Sequence, residues 1–178
     1  MLRRDANLLG SLSLAVADRI RQRISADAEI DGEGASCLVA VATFARGSSI
    51  SQLSRLVALS HSATVRLIDR LEELGLVRRT AGRDLRSVAV EVTARGARVA
   101  AQIQDARAIE LEDLLASLSE REREQLCALH EKLLDAAVSL DSAPLRICRL
   151  CDVEACEHAD GWCPVTRAAD RYASSGRL

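Results

Sequence analysis

The side chains most suited to chemistry in this sequence are Cys148, Cys151, Cys156 and Cys163, in the string CRLCDVEACEHADGWCP. Four of the chain's six cysteines fall here within sixteen residues, spaced C-x2-C-x4-C-x6-C and followed by proline. Thiolates gathered this closely bind soft metals, either as a structural zinc site or as the ligands of an iron–sulfur cluster. Zinc sites of four cysteines usually pair two C-x2-C units across a longer loop, whereas this string has one such unit and then gaps of four and six. Iron–sulfur loops are often compact and uneven, and a proline directly after the last ligand, as in Cys163-Pro164, recurs among them. The pattern leans to an iron–sulfur cluster ([2Fe-2S] or [4Fe-4S]), with Zn2+ and a metal-free thiol switch as the alternatives. His158, inside the loop, is a substitute ligand for Cys156, and Trp162 is expected to shield the site from water.

The rest of the composition sets the context for that cluster. Of 178 residues, 48% are apolar and 28% charged, the profile of a folded globular chain. Phe44, Trp162 and Tyr172 are the only aromatic side chains, so the core must be built from Leu, Val, Ile and Ala. There is no run of about eighteen apolar residues and no secretory leader pattern, so a cytoplasmic protein without a membrane partner is expected. Structural disulfides are rare in that compartment, which again directs the cysteines to metal or redox chemistry. The net charge of −2 hides an asymmetry: residues 46–98 hold ten Arg against five acids, and residues 105–160 hold fourteen acids against six basic residues. Affinity for phosphates follows the local field rather than the total, so the first of these segments fits a nucleic-acid surface.

The elements that must position these residues follow from periodicity. Residues 8–24 carry apolar side chains at spacings of three and four, one stripe of a helix. A Gly-containing break precedes the apolar run ASCLVAVATFAR, read as a buried helix over 35–46 that Gly47 closes. Ser49 or Ser51 caps a short helix carrying Leu53, Leu56 and Val57. After the turn LSHS, Ser60 caps a helix over 61–74 that buries Ala63, Leu67, Ile68, Leu71 and Leu74. Two short helices joined by a tight polar turn outline a helix-turn-helix. LVRRT and RSVAVEV alternate as two antiparallel strands, Thr93 caps a helix to about residue 116, and Ser119 to Glu122 opens another to about 139. Cys37 and Cys127 fall in these helical patterns and read as packing residues. No nucleophile, base and oxyanion site assemble, so no enzyme is expected.

The strings LSHSATVRLIDRLEELGLVRR and GRDLRSVAVEVTARG, in this order of elements, resemble the recognition helix and wing of the MarR family of bacterial regulators. The resemblance covers about residues 8–139 and implies a mainly α fold with a small β-wing: a winged helix-turn-helix with long N- and C-terminal dimerisation helices. It divides the chain into a dimerisation helix and loop (1–34), the winged helix-turn-helix (35–92), long dimerisation helices (93–140) and an added cysteine-rich, metal-binding tail (141–178). It also implies a homodimer that binds double-stranded DNA at a pseudo-palindromic operator and regulates transcription, most simply as a repressor. On the recognition helix, Ser60, His61, Ser62, Val65, Arg66 and Arg70 match the DNA-contacting positions, with Arg66 placed for a guanine edge and Arg70 for a phosphate. In the wing, Arg86 matches the residue that enters the minor groove and Asp84 the one that orients neighbouring guanidinium groups, with Arg78, Arg79 and Arg83 on phosphates.

The cysteine string in turn is similar to the cluster-binding tail of the redox sensor SoxR, C-x2-C-x-C-x5-C-P, which also follows a winged helix and a dimerisation helix. The spacing differs, so the likeness is one of arrangement. It implies a redox- or iron-sensing tail. The alternative is a regulator that responds to a small phenolic or lipophilic ligand, with zinc stapling the tail.

Overall fold

The computed structural model describes residues 2–27, 30–82, 88–140 and 144–174. In chain order they form α1 (Leu2–Asp27), α2 (Gly32–Ala42), β1 (Ser48–Ser49), α3 (Ile50–Val57), α4 (His61–Glu73), β2 (Val77–Ala81), β3 (Val88–Val92), α5 (Ala94–Leu115) and α6 (Glu120–Leu140), then a 3-10 turn (Pro144–Arg146) and α7 (Pro164–Ser174). Among the described residues no helix is long and apolar enough to cross a membrane.

Local chemistry explains most boundaries. Asp31 accepts a hydrogen bond from the Gly34 N–H at 2.7 Å, so α2 starts three residues before the expected position and stops at Ala42. Ser49 and Gln52 form a reciprocal capping box that starts α3, which resolves the choice between Ser49 and Ser51. Ala58 turns the chain in the left-handed region (φ 56°), and Ser60 caps α4 through the Ala63 N–H at 3.2 Å. The wing is a three-stranded antiparallel sheet, order β1-β3-β2, with Arg79 opposite Val90 and Val77 opposite Val92. Its third strand, β1, goes beyond the two expected strands, because two residues are too few to show alternation.

The main core centres on α2, where Gly34 to Val41 are all buried, and gathers Leu53, Ile68, Leu71, Val77, Val90 and Ile103 around it. α5 enters this core at its N-terminus. Thr93 caps the helix through the Gly96 N–H at 3.0 Å and donates its own hydroxyl to the Gly75 carbonyl at 2.7 Å. Gly96 meets the Leu76 carbonyl so closely that a Cβ there would lie 1.9 Å from the oxygen. Arg95 reaches back to the Leu74 carbonyl. The root of α5 is thus tied to the end of α4 and the start of β2. Further along, α5 packs on α1, and Glu110 accepts an ion pair from Arg19 at 2.9 Å.

α5 and α6 barely touch; α6 packs chiefly on α7. A second, small core forms there from Val138, Cys148, Cys163, Val165 and Ala168, with Leu134, Ile147 and Tyr172 against it. α7 is a correction to the expected tail, for which the sequence pattern assigns no helix. It begins with proline, whose missing N–H costs nothing at a first helical position, and buries Val165 and Ala168, three residues apart. Phe44, just past α2, packs against both cores, and Leu150 reaches into the main one.

Candidate nucleic-acid interface and cysteine pocket

On α4 the buried stripe is Thr64, Leu67, Ile68 and Leu71. Thr64 is fully buried, and its hydroxyl donates to the Ser60 carbonyl at 3.0 Å, which satisfies it. Ser60, His61, Ser62, Arg66 and Arg70 stand exposed, and Val65 is half-buried. Arg66 has no ion-pair partner among the described residues, so its charge is available to a ligand. Arg70 lies 3.9 Å from Asp31. The exposed first turns of α4 therefore present two hydroxyls, an imidazole and a guanidinium on one rigid, capped element.

The wing arginines divide. Arg78 is exposed and pairs with Glu91 across the β2–β3 ladder at 2.7 Å. Arg79 turns inward: only 27% of its side chain is exposed, and its guanidinium is held by Asp69 at 2.6 Å and by Glu72. Glu72 also accepts from the Arg79 backbone N–H at 2.9 Å, the largest of the contacts that hold its carboxyl below the usual range. This clamp joins the recognition helix to the wing. It is present above the ordinary carboxylate range and dissolves as pH falls through the lowered Glu72 value. The expected phosphate role of Arg79 is at odds with this geometry, because two carboxylates already neutralise the guanidinium. A signal exists in the sequence: Arg79 is two residues from buried Val77 on a strand, so it shares the inward face and needs partners there. Arg83, Asp84 and Arg86 lie outside the described residues.

The four cysteines, far apart in an extended chain, line one pocket together with Phe44, Leu145, Val153, His158 and Thr166. Cys148 and Cys163 are buried; Cys151 and Cys156 are half-buried. As they stand, no three His, Cys, Asp or Glu side chains among the described residues converge as a metal site. Their protonation preferences alternate. Hydrogen bonding to Cys151, with burial, pushes Cys148 up, and burial pushes Cys156 up to about 11. Cys151, accepting from Cys148 and facing Arg107, is pulled down to about 6 despite burial. For Cys163 burial acts upward, but hydrogen bonds from the Thr166 backbone and hydroxyl, from His158 and from the Val165 N–H outweigh it and lower the value.

Those last contacts give Cys-Pro a structural meaning. Cys163 occupies the cap position of α7: its carbonyl accepts the first helical bond from the Arg167 N–H at 3.0 Å, and its sulfur faces the N–H groups of the first turn. Proline follows as an ordinary first helical residue. His158 hydrogen-bonds Thr166 through Nδ1 at 3.1 Å. Trp162 corrects the expectation, since 63% of it is exposed and it does not cover the pocket; Phe44, from the other end of the sequence, does. Cys127 is also corrected: it is exposed, whereas Cys37 is buried as expected and raised to about 12 by desolvation. Nothing in the local sequence signals Phe44 at the pocket, because it arrives by tertiary packing.

The elements and their connections define a winged helix-turn-helix set between long helices. Residues 35–87 match the sequence profile described as the MarR family. The chain is similar in structure to MepR, a transcription regulator of the Staphylococcus aureus multidrug efflux pump MepA, with 19% identity over 74% of this chain and 97% of that one and a TM-score of 0.65. It is similar to a MarR family protein from Bacillus stearothermophilus at 26% identity, covering 75% and 98%, with a TM-score of 0.62. A third similar structure is a mutant of Staphylococcus aureus MepR bound to an oligodeoxyribonucleotide, at 19% identity over 74% and 96%, TM-score 0.56. No curated relative matches the chain.

Proposed function

We propose that this chain is a MarR-type transcriptional regulator that binds double-stranded operator DNA as a homodimer and carries, in its cysteine pocket, an iron–sulfur cluster that reports redox state or iron supply. The observation that carries the sensory half is the folding of all four cysteines into one pocket, between the end of α6, α7 and the winged helix. A bound cluster would supply an oxidisable centre. The chain supplies four sulfurs, apolar walls from Phe44, Leu145 and Val153, and N–H groups aimed at Cys163. The DNA-binding half is supported by the exposed, capped first turns of α4, by the excess of Arg over acids around it, and by the likeness to a regulator solved with an oligodeoxyribonucleotide. The dimer is supported by leucines left uncovered on three helices: Leu8, Leu12 and Leu14 on α1, Leu114 on α5, and Leu129 and Leu133 on α6. α6 finds little cover in its own chain apart from α7, so a second copy is the natural occupant.

The test is anaerobic purification, followed by visible absorption, iron and sulfide analysis, light scattering and operator binding before and after an oxidant. Colour, a dimeric mass and an oxidant-dependent affinity are expected. A colourless protein with one zinc per chain and oxidant-independent binding overturns the sensor. A monomer at micromolar concentration overturns the dimer.

Within DNA binding, Arg66 and Arg79 are expected to behave differently. Arg66→Ala should cost about 1–3 kcal/mol on the cognate operator and relax discrimination at one base pair. Arg79→Ala should weaken binding to all sequences while leaving the slope of log K against log salt unchanged, because its charge is already neutralised. A slope smaller by about one would instead mark a phosphate contact.

A second reading has its own observation. A cavity of about 310 Å³ lies between α1, α2, α3 and the start of the cysteine segment, with Ile20, Ile24, Val57 and Leu150 as apolar lining, Glu33 as an acid, and Arg146, Arg149 and the Asp18-paired Arg21 as cations. That mixed lining suits a small phenolic or lipophilic ligand. Titrating one against operator binding, with and without the metal, separates this effector from the cluster.

A further inference from the structure

The cysteine pocket touches the helix that roots the wing. Gln104, on α5, donates from Nε2 to the Cys151 carbonyl oxygen at 2.9 Å, across 47 residues of sequence. One turn further on, Arg107 brings its positive charge to the same residue's sulfur. α5 therefore meets the C-x2-C unit with an amide and a guanidinium on one face. Toward its start, eight residues or about 12 Å before Gln104, the same helix is pressed against the Leu76 carbonyl at Gly96 and tied to Leu74 by Arg95. Those contacts sit where the recognition helix ends and the wing begins. On the other side of the pocket, Val138 at the end of α6 is wholly buried against Cys148 and Cys163. Because α5 and α6 have almost no packing of their own, the cysteine segment is what joins the far end of α6 back to α5.

We propose that Gln104 is the positioning residue through which the cysteine site acts on the DNA-binding half: its amide latches the Cys151 carbonyl to α5 as the thiols stand here, short of a metal-site arrangement, and drawing the four sulfurs onto a metal pulls on that latch. The inference rests on the metal-binding reading above. Gathering the sulfurs moves the loop that carries the carbonyl. Because Gln104 ties that loop to α5, the movement shifts α6 against α5 and changes the separation of the two recognition helices of a dimer. Gln104 bonds a carbonyl and not a sulfur, and it lies on α5, outside the helix-turn-helix and wing. Its effect is on the coupling between the two sites and not on either site alone.

The experiment uses the full chain, loaded anaerobically with ferrous iron and sulfide, and measures iron content, visible absorption and operator affinity in the loaded and unloaded forms. In the wild type the two affinities are expected to differ by roughly tenfold, within the usual range of allosteric coupling. Gln104→Leu should take up the same iron with the same spectrum, while the affinity ratio falls to near one. Gln104→Lys, which restores a donor of similar reach, should recover most of the ratio and guards against a folding defect in the first variant. A Gln104→Leu protein that keeps the wild-type ratio overturns the inference. So does one that loses its iron together with the ratio, since Gln104 would then only support the site. A wild type that takes up iron and shows no ratio overturns the sensing reading, and one that takes up no metal overturns the metal reading.

Discussion

Replacing Cys151 with serine is expected to abolish metal uptake and to leave operator binding fixed in one state. Cys151 is the hub of the pocket: it accepts from Cys148, interacts with Cys156 and faces Arg107. The hydrogen bond from Cys148 and the charge of Arg107 also hold its thiol below the ordinary cysteine value, which favours the thiolate that a metal needs. A serine hydroxyl stays protonated and is a hard, poor ligand for iron in a sulfur environment. Removing even an outer partner of a metal ligand costs about 10–100-fold in affinity as a rule, so removing a ligand itself should cost about 100-fold or more. The measurement is iron and sulfide content with the visible spectrum after anaerobic reconstitution. Cys127→Ser is the control, because Cys127 is exposed on α6 and lies outside the pocket. Equal loss of iron in both variants would remove the pocket's special status, and full retention in Cys151→Ser would remove Cys151 from the ligand set.

Gly96→Ala is expected to destabilise the chain by about 3 kcal/mol, against the usual sign for a helical glycine. In a helix interior alanine is normally better than glycine by about 1 kcal/mol. Here the new methyl would lie 1.9 Å from the Leu76 oxygen, 2.8 Å from its carbon and 2.9 Å from Val92 Cγ2. Two of those neighbours are backbone and cannot rotate away, so α5 must lift from the wing, with an overpacking cost at or above the common range of about 1–3 kcal/mol. For a chain of this size that lowers the melting temperature by about 6–12 °C, readable by circular dichroism. Gly10→Ala is the internal comparison: nothing lies within 4 Å of the place its methyl would take on α1, so the same exchange should be neutral or stabilising there. A Gly96→Ala protein as stable as wild type would mean that α5 is not seated against the wing, and the lever that runs through Gln104 would lose its fulcrum.

The helix-turn-helix is legible in the sequence because several independent local rules agree on it. Ser49, Ser60 and Thr93 each fall where a cap is needed, and the stripe Leu67, Ile68 and Leu71 keeps helical period between them. Within that element, expectation and structure part where a polar residue serves the interior. Thr64, bonded to its own helix, is buried where the sequence pattern expects Ala63, and Ala63 and Leu74 are only half-buried; Arg79 is drawn inward by Asp69 and Glu72. α7 carries a clear apolar face, with Val165, Ala168, Ala169 and Tyr172 at helical spacing, but only Val165 and Tyr172 are large, so its stripe is easily passed over beside the cysteine spacing. The four cysteines stand out by spacing alone. What walls their pocket does not, since Trp162 is adjacent in sequence yet points to solvent, while Phe44 arrives through the packing of α2.

Cys163 holds two offices at once, last sulfur of the pocket and first residue of a helix start. Each office alone tolerates change: a helix cap accepts Ser, Asp or Asn, and a sulfur ligand need not begin a helix. On the metal-binding reading proposed above, together they leave no acceptable exchange, because the good caps are poor ligands for a soft metal. The joint requirement also sets what a transplant of the tail must contain. A duplicated or transplanted segment would carry both the sulfur and the fold around it only if Cys163, Pro164 and α7 moved as one piece.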